Sequence, residues 1–231
     1  RNYIDEVLLS CDKKFRSVKA NFDRVVKQRN NLLKQCRGRL SKELEESLGI
    51  WNSQFIELGE VIGRNRTELV RNIEPFVNTF YSQVAGKEEQ VNFRYETTWM
   101  NKGLEKALHE IQHEEVRRGT TLVGPHRDDV IIELNNLVSR THSSQGEQRS
   151  LALALRLSEH AYMAQKINDS PLILLDDVFS ELDEGRSKRL VECLPNAQIV
   201  LTSATGTIPV GIHPGKKLKV LNGRISLGED E

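Results

Sequence analysis

A run of four apolar residues that ends in two acids most constrains the fold of this chain. Leu172–Leu175 is wholly apolar, and Asp176 and Asp177 follow it directly. An uninterrupted apolar run is typical of a parallel strand covered on both faces. A helix is predicted over 183–193 and a second apolar strand over 198–201, which makes a βαβ unit with a right-handed crossover. The sequence therefore predicts an α/β fold.

The two acids stand where a ligand site is expected, because α/β sheets bind ligands at the carboxyl ends of their strands. Asp176 is placed to hold Mg²⁺, directly or through water, against nucleotide phosphates. Asp177 is placed to position or polarise an attacking water. The alternative is a buried strand that ends in two solvated or capping acids. The acidic turn Ser180–Asp183 follows them.

A second candidate site is the start of a long helix, rich in Leu and Ala, that is predicted over 144–166. Ser144 and Gly146 offer a hydroxyl and backbone N–H groups at the positive end of the helix dipole, which suit a phosphate. The alternative is an N-cap, because Ser144 stands three residues before Glu147 and fits a capping box. Both interpretations can hold together.

The first third of the chain predicts a helical arm. Apolar residues recur at helical spacing over residues 15–44 and again over 48–84, with Gly49 as a plausible turn between them. Pro75 is expected to start a new helix or kink the second one, because a proline inside a helix costs about 3 kcal/mol. The simplest packing is an antiparallel arm over roughly residues 5–86. Beyond it the patterns predict strands over 91–95 and 130–132 and a helix over 104–116.

Several of these segments carry a family resemblance. Ser144–Arg149 resembles the signature motif of ABC-type ATPases in its RecF-family form, and Leu174–Asp177 with Ser180–Asp183 resembles the Walker B motif and D-loop. Gly124–Asp129 and the arm segment Lys27–Lys34 are similar to further patterns of that family. The resemblance implies a partial ABC-type ATPase head over residues 91–231, joined to a helical arm domain over residues 1–90.

The resemblance also implies roles for individual residues. Ser144, Gly146 and Glu147 would contact ATP held by a partner subunit, so that ATP joins two heads. Asp183 would lie at that dimer seam. Asp176 would hold Mg²⁺ and Asp177 would be catalytic in the subunit's own site.

At the level of function, the resemblance implies an ATP-dependent DNA-binding protein of recombinational repair and replication, associated with the SOS response. It would act in the cytoplasm and bind gapped DNA at junctions of single and double strands. It would dimerise on ATP and, with RecO and RecR, promote RecA loading. No membrane association is implied.

Two departures from the ABC pattern bear on turnover. Asp177 stands where ABC ATPases usually have Glu, and Ser203 stands near the place of a frequent His. A shorter acid and the lack of an imidazole predict slow hydrolysis, which suits a timing switch.

No phosphate-binding loop of the form G-x-x-x-x-G-K-[ST] occurs in the 231 residues. Gly211–Lys217 comes close but is one residue short and lacks the final Ser or Thr. Because that loop cradles the phosphates, this chain alone is expected to bind ATP poorly and not to hydrolyse it. The start at Arg1, without Met, adds the expectation of a carboxy-terminal part of a longer protein.

A zinc hydrolase is the first alternative function. His109, Glu110 and His113 match H-E-x-x-H on a predicted helix, which places both imidazoles on one face. The pattern fixes only three residues and no third ligand follows, so a surface helix with two solvated histidines is favoured.

Two further features leave their interpretations open. The first arm helix is basic, and its stripe, with Arg24, Lys27 and Lys34 as the DNA-binding candidates, could track DNA phosphates or be a solvated face. The residues of 126–129 could touch nucleotide or brace the head through ion pairs. The arm could also act as a non-enzymatic interaction module.

Bulk properties add few constraints. The formal net charge is zero, so any nucleic-acid contact must come from local patches. Three scattered cysteines indicate free thiols of a reducing compartment, and no apolar run suggests a membrane span. Leu151, Leu153 and Leu155 project in several directions, so part of their helix is expected to pack against a lobe outside this chain. The chain alone would then expose an apolar patch and self-associate.

Overall fold

The computed structural model describes residues 1–227, so the last four residues of the predicted head lie outside the described residues. Within that range the helices are α1 Asn2–Cys11, α2 Lys13–Gln35, α3 Lys42–Ala85, α4 Leu104–Arg118, α5 Ser139–His142, α6 Gln145–Ile167 and α7 Glu184–Cys193. The strands are β1 Val91–Glu96, β2 Asp129–Leu134, β3 Leu137–Val138, β4 Ile173–Asp176, β5 Ile199–Thr202, β6 Leu218–Leu221 and β7 Arg224–Leu227. This mixture confirms the predicted α/β class and every helix and strand predicted beyond the arm.

The arm is an antiparallel pair formed by α2 and α3. Phe22 stacks near Phe55, with 5.1 Å between ring centroids, and Arg29 Nε donates to Asn52 Oδ1 at 2.7 Å. The prediction of a turn at Gly49 was wrong, because α3 begins at Lys42 and continues through Gly49. The turn lies at residues 36–41, which include two positions in the left-handed region.

Pro75 neither starts a new helix nor interrupts α3, which runs unbroken for 44 residues. Proline removes one backbone donor, so the carbonyl of Arg71 loses its partner within the helix. Both Pro75 and Arg71 are exposed, and water can therefore satisfy that carbonyl. The expected break was wrong because the carbonyl that loses its hydrogen bond lies on the solvent side of the helix.

The largest apolar core lies where α3 packs against several other elements. Ile4 of α1, Phe22 of α2, Phe93 of β1 and Leu151 of α6 all belong to it, together with much of the buried face of α3. A smaller core at the far end of the arm holds Leu33, Cys36, Leu48 and Val116. The long helix α3 thus contributes to both cores, and the division at residue 90 stays a prediction.

Among residues 1–227, three small sheets accompany the helices. β1, β2 and β3 form an antiparallel sheet, β6 and β7 form an antiparallel hairpin, and β4 pairs in parallel with β5. Because α7 lies between β4 and β5 in the chain, the predicted βαβ unit is confirmed. The prediction that its strands are covered on both faces was wrong, since Leu174 is 69% exposed and Val200 is 45% exposed.

The apolar patch predicted on α6 lies elsewhere. Leu151 is buried, and Leu153 and Leu155 are partly buried against neighbouring core residues, because α6 packs along α3. Most of the exposed large apolar side chains among the described residues lie instead on or beside β4, on β5 and on the β6–β7 hairpin. No helix among residues 1–227 is both long and apolar enough to cross a membrane.

Candidate functional site

The Asp176 and Asp177 carboxylates lie at the carboxyl end of β4, as predicted. Thr202, the register partner of Asp176 on β5, donates its hydroxyl to Asp176 Oδ1 at 2.5 Å. Asp177 has φ 49°, in the left-handed region, and its N–H donates to Thr202 Oγ1 at 3.1 Å. Asp176 is exposed and Asp177 is half-buried, so the turn presents one acid to solvent and draws the other inward.

The Asp177 carboxylate is held on both sides. Its Oδ2 accepts from Ser180 Oγ at 2.9 Å, and its Oδ1 accepts from the N–H of Ala204 at 3.2 Å. These bonds fix the orientation of the carboxylate before any ligand is bound. Such a group can orient a water, although two of its acceptor positions are already occupied.

The start of α6 is a complete capping box, as predicted. Ser144 Oγ accepts from the Glu147 N–H at 3.3 Å, and Glu147 Oε2 accepts from the Ser144 N–H at 2.8 Å. Backbone and hydroxyl hydrogen bonds from Ser144 lower the pKa of Glu147. A phosphate entering here would compete with the Glu147 carboxylate for the Ser144 hydroxyl, which donates to Oε2 at 2.9 Å.

The acidic turn lies against the start of α6. Asp183 is the N-cap of α7, and its Oδ1 accepts from the Arg186 N–H at 2.9 Å. That backbone hydrogen bond is the main cause that lowers the pKa of Asp183. Arg149 of α6 donates from Nη1 to the Glu181 carbonyl at 3.0 Å. Side chains of the two segments therefore join the signature-like helix start to the turn after Asp177.

Comparisons with known proteins show which proteins the whole chain is similar to. The chain is 42% identical over 206 residues to the DNA replication and repair protein RecF of Geobacter metallireducens, which covers 84% of this chain and 54% of that protein. It is 33% identical to the RecF of Geotalea uraniireducens, over 97% of this chain and 64% of that protein. The chain belongs to the RecF family. A scan against models of protein families matches none of them.

A solved structure supports the same assignment. The recombination mediator protein RecF-ATP of the RecFOR pathway superposes with a TM-score of 0.84 at 26% sequence identity, over 99% of this chain and 62% of that one. The chain thus spans about half to two thirds of the length of the RecF proteins that it matches.

Within this RecF-family chain, the predicted site residues fall into two groups. Ser144, Gly146 and Glu147 are connected to Asp183 through the contacts at the start of α6 and α7. Asp176 and Asp177 are connected to the end of β5. Among residues 1–227, no hydrogen bond or ion pair joins one group directly to the other.

Sequence reasoning missed three residues of the site. Thr202 holds Asp176, and Arg149 and Arg186 join the two segments described above. The signal for Thr202 was its place at the end of the second strand, opposite Asp176. Ser203, which stands near the position of the ABC histidine, instead contacts Thr205 Oγ1 at 3.2 Å.

The Gly124–Asp129 motif braces the structure. Asp128 is buried and accepts from Trp99 Nε1 at 3.0 Å and from Tyr95 Oη at 2.5 Å. The His126 ring packs near Phe22 and Phe55, and burial lowers its pKa to about 4. Of the two interpretations left open, these contacts favour bracing at His126 and Asp128, while Arg127 and Asp129 are exposed.

The basic stripe on α2 is exposed and mostly unpaired. Arg24, Lys27 and Lys34 are exposed, and none of them forms an ion pair among the described residues. Lys19 pairs with Asp23 at 2.5 Å. Arg29 lies on the same helix but does not belong to the exposed stripe, because it is buried and pairs with Glu115.

The zinc-hydrolase interpretation finds no support. His109 and His113 are exposed on α4, and Glu110 pairs with Lys102 at 2.5 Å. No group of three or more His, Cys, Asp or Glu within the described part of the chain could hold a metal ion. The H-E-x-x-H match therefore lies on a solvated helix face.

Proposed function

We propose that this chain is part of an ATP-dependent DNA-binding protein of recombinational repair, in which ATP joins two heads. The observation that carries the proposal is the separation of the predicted site into two groups. One group lies at the starts of α6 and α7, and the other lies at the ends of β4 and β5. Ser144 and Gly146 would complete the pocket of a partner subunit, while Asp176 and Asp177 would act in the subunit's own pocket. The similarity to an ATP-bound RecF supports this arrangement.

Mg²⁺ fits the carboxyl end of β4. It binds through one or two carboxylates, substrate phosphates and several waters, so a cluster of three protein ligands is not required. Asp176 is an exposed carboxylate whose Oδ1 is oriented by the Thr202 hydroxyl. Asp176 would hold the ion, which would neutralise charge on the phosphates, and Asp177 would orient the attacking water.

Slow hydrolysis belongs to the same proposal. Asp177 is shorter than the usual glutamate, and the Ala204 N–H and Ser180 hydroxyl hold it close to its own turn. A carboxylate held back in this way activates water weakly, because a general base must lie within hydrogen-bond reach of the proton that it takes. The expected behaviour is a timing switch, in which hydrolysis releases an ATP-dependent dimer.

The test of ATP-dependent dimerisation uses the protein expressed from its complete reading frame. The wild-type protein should dimerise with ATP and Mg²⁺, as measured by light scattering, and Ser144→Arg should abolish the dimer but leave ATP binding intact. Asp177→Asn should retain the dimer and stop hydrolysis. A complete reading frame without a phosphate-binding loop would refute the proposal and favour a helical interaction module.

DNA binding would use the basic stripe of α2. Reversal of Arg24, Lys27 and Lys34 to Glu should weaken binding to gapped duplexes at any sequence. The slope of log K against log salt should fall by about 3, because each of the three cations would neutralise about one phosphate. The matched control reverses Arg71, Lys219 and Arg224, which are exposed elsewhere. Equal weakening in both triple variants would show that only net charge matters.

The remaining assignments follow from the proposed membership of a RecF pathway. The partners would be junctions of single- and double-stranded DNA, a second copy of the chain, and RecO and RecR, with RecA loading as the result. The protein would act in the cytoplasm, in replication-linked repair and the SOS response. Pull-down of RecR by the complete protein, in the presence and absence of ATP, tests the partner assignment directly.

A further inference from the structure

Arg186 lies between the signature helix and the D-loop. Its N–H and its Nη1 both donate to the Asp183 carboxylate, at 2.9 and 2.8 Å. Its Nη2 lies 2.7 Å from the position that a Cβ on Gly146 would occupy, and its Cζ lies 3.2 Å from that position. One side chain therefore touches both segments that the proposed function places at the dimer seam.

The guanidinium of Arg186 is packed as well as hydrogen-bonded. Its Nε is buried and has no hydrogen-bond partner within the described residues, although the side chain as a whole is 29% exposed. A buried donor without a partner is unfavourable, because it has lost its hydrogen bonds to water. The surroundings must offset that cost, and they include the two bonds to Asp183 and close contact with Gly146.

The absence of a side chain at Gly146 has a specific reason in this arrangement. A Cβ there would lie within 3.2 Å of three guanidinium atoms of Arg186, closer than ordinary van der Waals contact. A larger residue at this position would displace the guanidinium, the flexible end of the Arg186 side chain, from its present place beside Asp183. Gly146 thus permits the contact between α6 and α7 in addition to any approach of a phosphate.

A second arginine also joins the start of α6 to the acidic turn. Arg149, one helical turn after Gly146, donates to the carbonyl of Glu181 at 3.0 Å. Arg149 Nε also lies 3.8 Å from a Glu181 carboxylate oxygen. The start of α6 and the acidic turn are therefore joined at two points, of which Arg186 contacts the predicted site residues themselves.

We propose that Arg186 is a positioning residue of the composite ATP site, which sets the D-loop acid Asp183 and the signature glycine Gly146 in one fixed arrangement. The proposal rests on the proposed function, in which both residues meet a nucleotide held by the partner subunit. Loss of Arg186 then weakens the joining of two heads. It leaves unchanged the pocket in which each subunit binds its own nucleotide.

The experiment compares Arg186→Ala, Arg186→Lys and the control Arg71→Ala in the protein expressed from its complete reading frame. Arg71 is an exposed arginine on α3 that forms no ion pair among the described residues. Two quantities are measured for each: the affinity of the monomer for a fluorescent ATP analogue, and the ATP concentration that gives half-maximal dimer. Thermal unfolding of each variant is recorded alongside.

Arg186→Ala should raise the ATP concentration for half-maximal dimer about fivefold or more, the equivalent of about 1 kcal/mol, with monomer affinity unchanged. Arg186→Lys should recover part of the loss, because an ammonium keeps the charge without the planar fork. Wild-type dimerisation by Arg186→Ala would overturn the inference. So would a parallel loss of monomer affinity and thermal stability, which would mark a purely structural role.

A double variant makes the test sharper. If Gly146 and Arg186 act through their contact, the double variant Gly146→Ala with Arg186→Ala should need no more ATP for half-maximal dimer than the more impaired single variant does. Additive losses would show that the residues act independently and would refute the inference. A wild-type protein that does not dimerise with ATP would instead refute the proposed function, so the two failures are distinguishable.

Discussion

At the scale of single residues, two buried arginines hold the arm to the rest of the molecule. Arg29 donates to Glu115 at 2.5 Å and to Thr121 at 2.8 Å. Arg66 forms two bonds of 2.8 Å with Asp5 and one of 2.6 Å with the Pro125 carbonyl. Because each charge is buried with its partner, removal of one partner leaves an uncompensated charge in the interior.

Glu115→Gln should destabilise the protein by about 3–5 kcal/mol, because it leaves the Arg29 charge buried without a counter-ion. The matched control is Glu114→Gln, one residue earlier on α4, where a solvent-accessible carboxylate pairs with Arg117 and Arg118. That change should cost much less, because water screens the pairs of the Glu114 carboxylate. Chemical denaturation measures both, and equal costs would contradict the distinction.

His126 should make stability depend on pH. Burial lowers its pKa to about 4 in the folded protein, against about 6.5 in an unfolded chain. The unfolded state therefore binds the proton first as the pH falls, and stability is lost between about pH 6.5 and about pH 4. From about pH 7.5 to about pH 5 the loss attributable to this group is about 2 kcal/mol.

The variant His126→Gln should lose that part of the pH dependence, and His113→Gln, at an exposed site on α4, should keep it. Urea denaturation at several pH values measures the difference between the two slopes. Identical slopes for His126→Gln and the wild-type protein would show that another group carries the dependence.

At the scale of elements, the long helix α3 tolerates a proline that should still cost stability. Pro75 is exposed and leaves the Arg71 carbonyl without a partner inside the helix. Pro75→Ala restores that bond and should stabilise the protein by about 1–3 kcal/mol. The upper limit is the cost of about 3 kcal/mol that proline has inside a helix. Glu57→Ala, at an exposed position of the same helix, should change stability by less than about 0.5 kcal/mol. A lower melting temperature for Pro75→Ala would show that packing requires the proline.

Elements with a clear apolar period could be predicted from the sequence, while the arm turn could not. Leu40 and Leu44 continue the helical spacing across the real turn, so periodicity placed the break later, at Gly49. The turn depends on Arg37 and Gly38 adopting left-handed backbone, with φ of 47° and 82°. An arginine gives no signal for that conformation, and a glycine inside a long buried helix costs only about 1 kcal/mol.

The contacts of the candidate site also divide into those that could be predicted from the sequence and those that could not. The capping box of Ser144 and Glu147 is local, three residues apart, and its geometry could be predicted from the sequence. The contact of Arg186 with Gly146 spans 40 residues and depends on how α7 lies against α6, which no local pattern contains. The pairing of Asp176 with Thr202 lies between these cases, because the βαβ unit predicts that both strand ends meet at one edge.

At the scale of the whole molecule, an apolar sheet face is left open. Leu174 on β4 is 69% exposed, Leu172 just before that strand is 51% exposed, and Val200 beside them on β5 is 45% exposed. The 231-residue chain should therefore self-associate through this face, since monomers rarely expose a contiguous apolar patch. Leu174→Lys with Val200→Lys should weaken that association about tenfold or more, given about 1.5–3 kcal/mol for each buried aliphatic side chain.

Analytical ultracentrifugation measures the association, and Ile50→Lys serves as the control. Ile50 is 64% exposed but stands on α3, outside the sheet face. The control should associate as the wild-type chain does. Equal weakening by both changes would show that added charge, and not loss of the sheet face, disperses the chain.

The 44-residue length of α3 has a mechanical consequence. At a rise of 1.5 Å per residue the helix measures about 66 Å, so a tilt of about 5° at one end displaces the other by about 6 Å. Its last turn is held by Arg189, which donates to the Val84 carbonyl at 3.0 Å, and Lys87 just beyond it lies 3.9 Å from Glu147. The carboxyl end of α3 therefore lies beside the start of α6, and any rigid-body rotation of the helix at that end would move its far end by several ångströms.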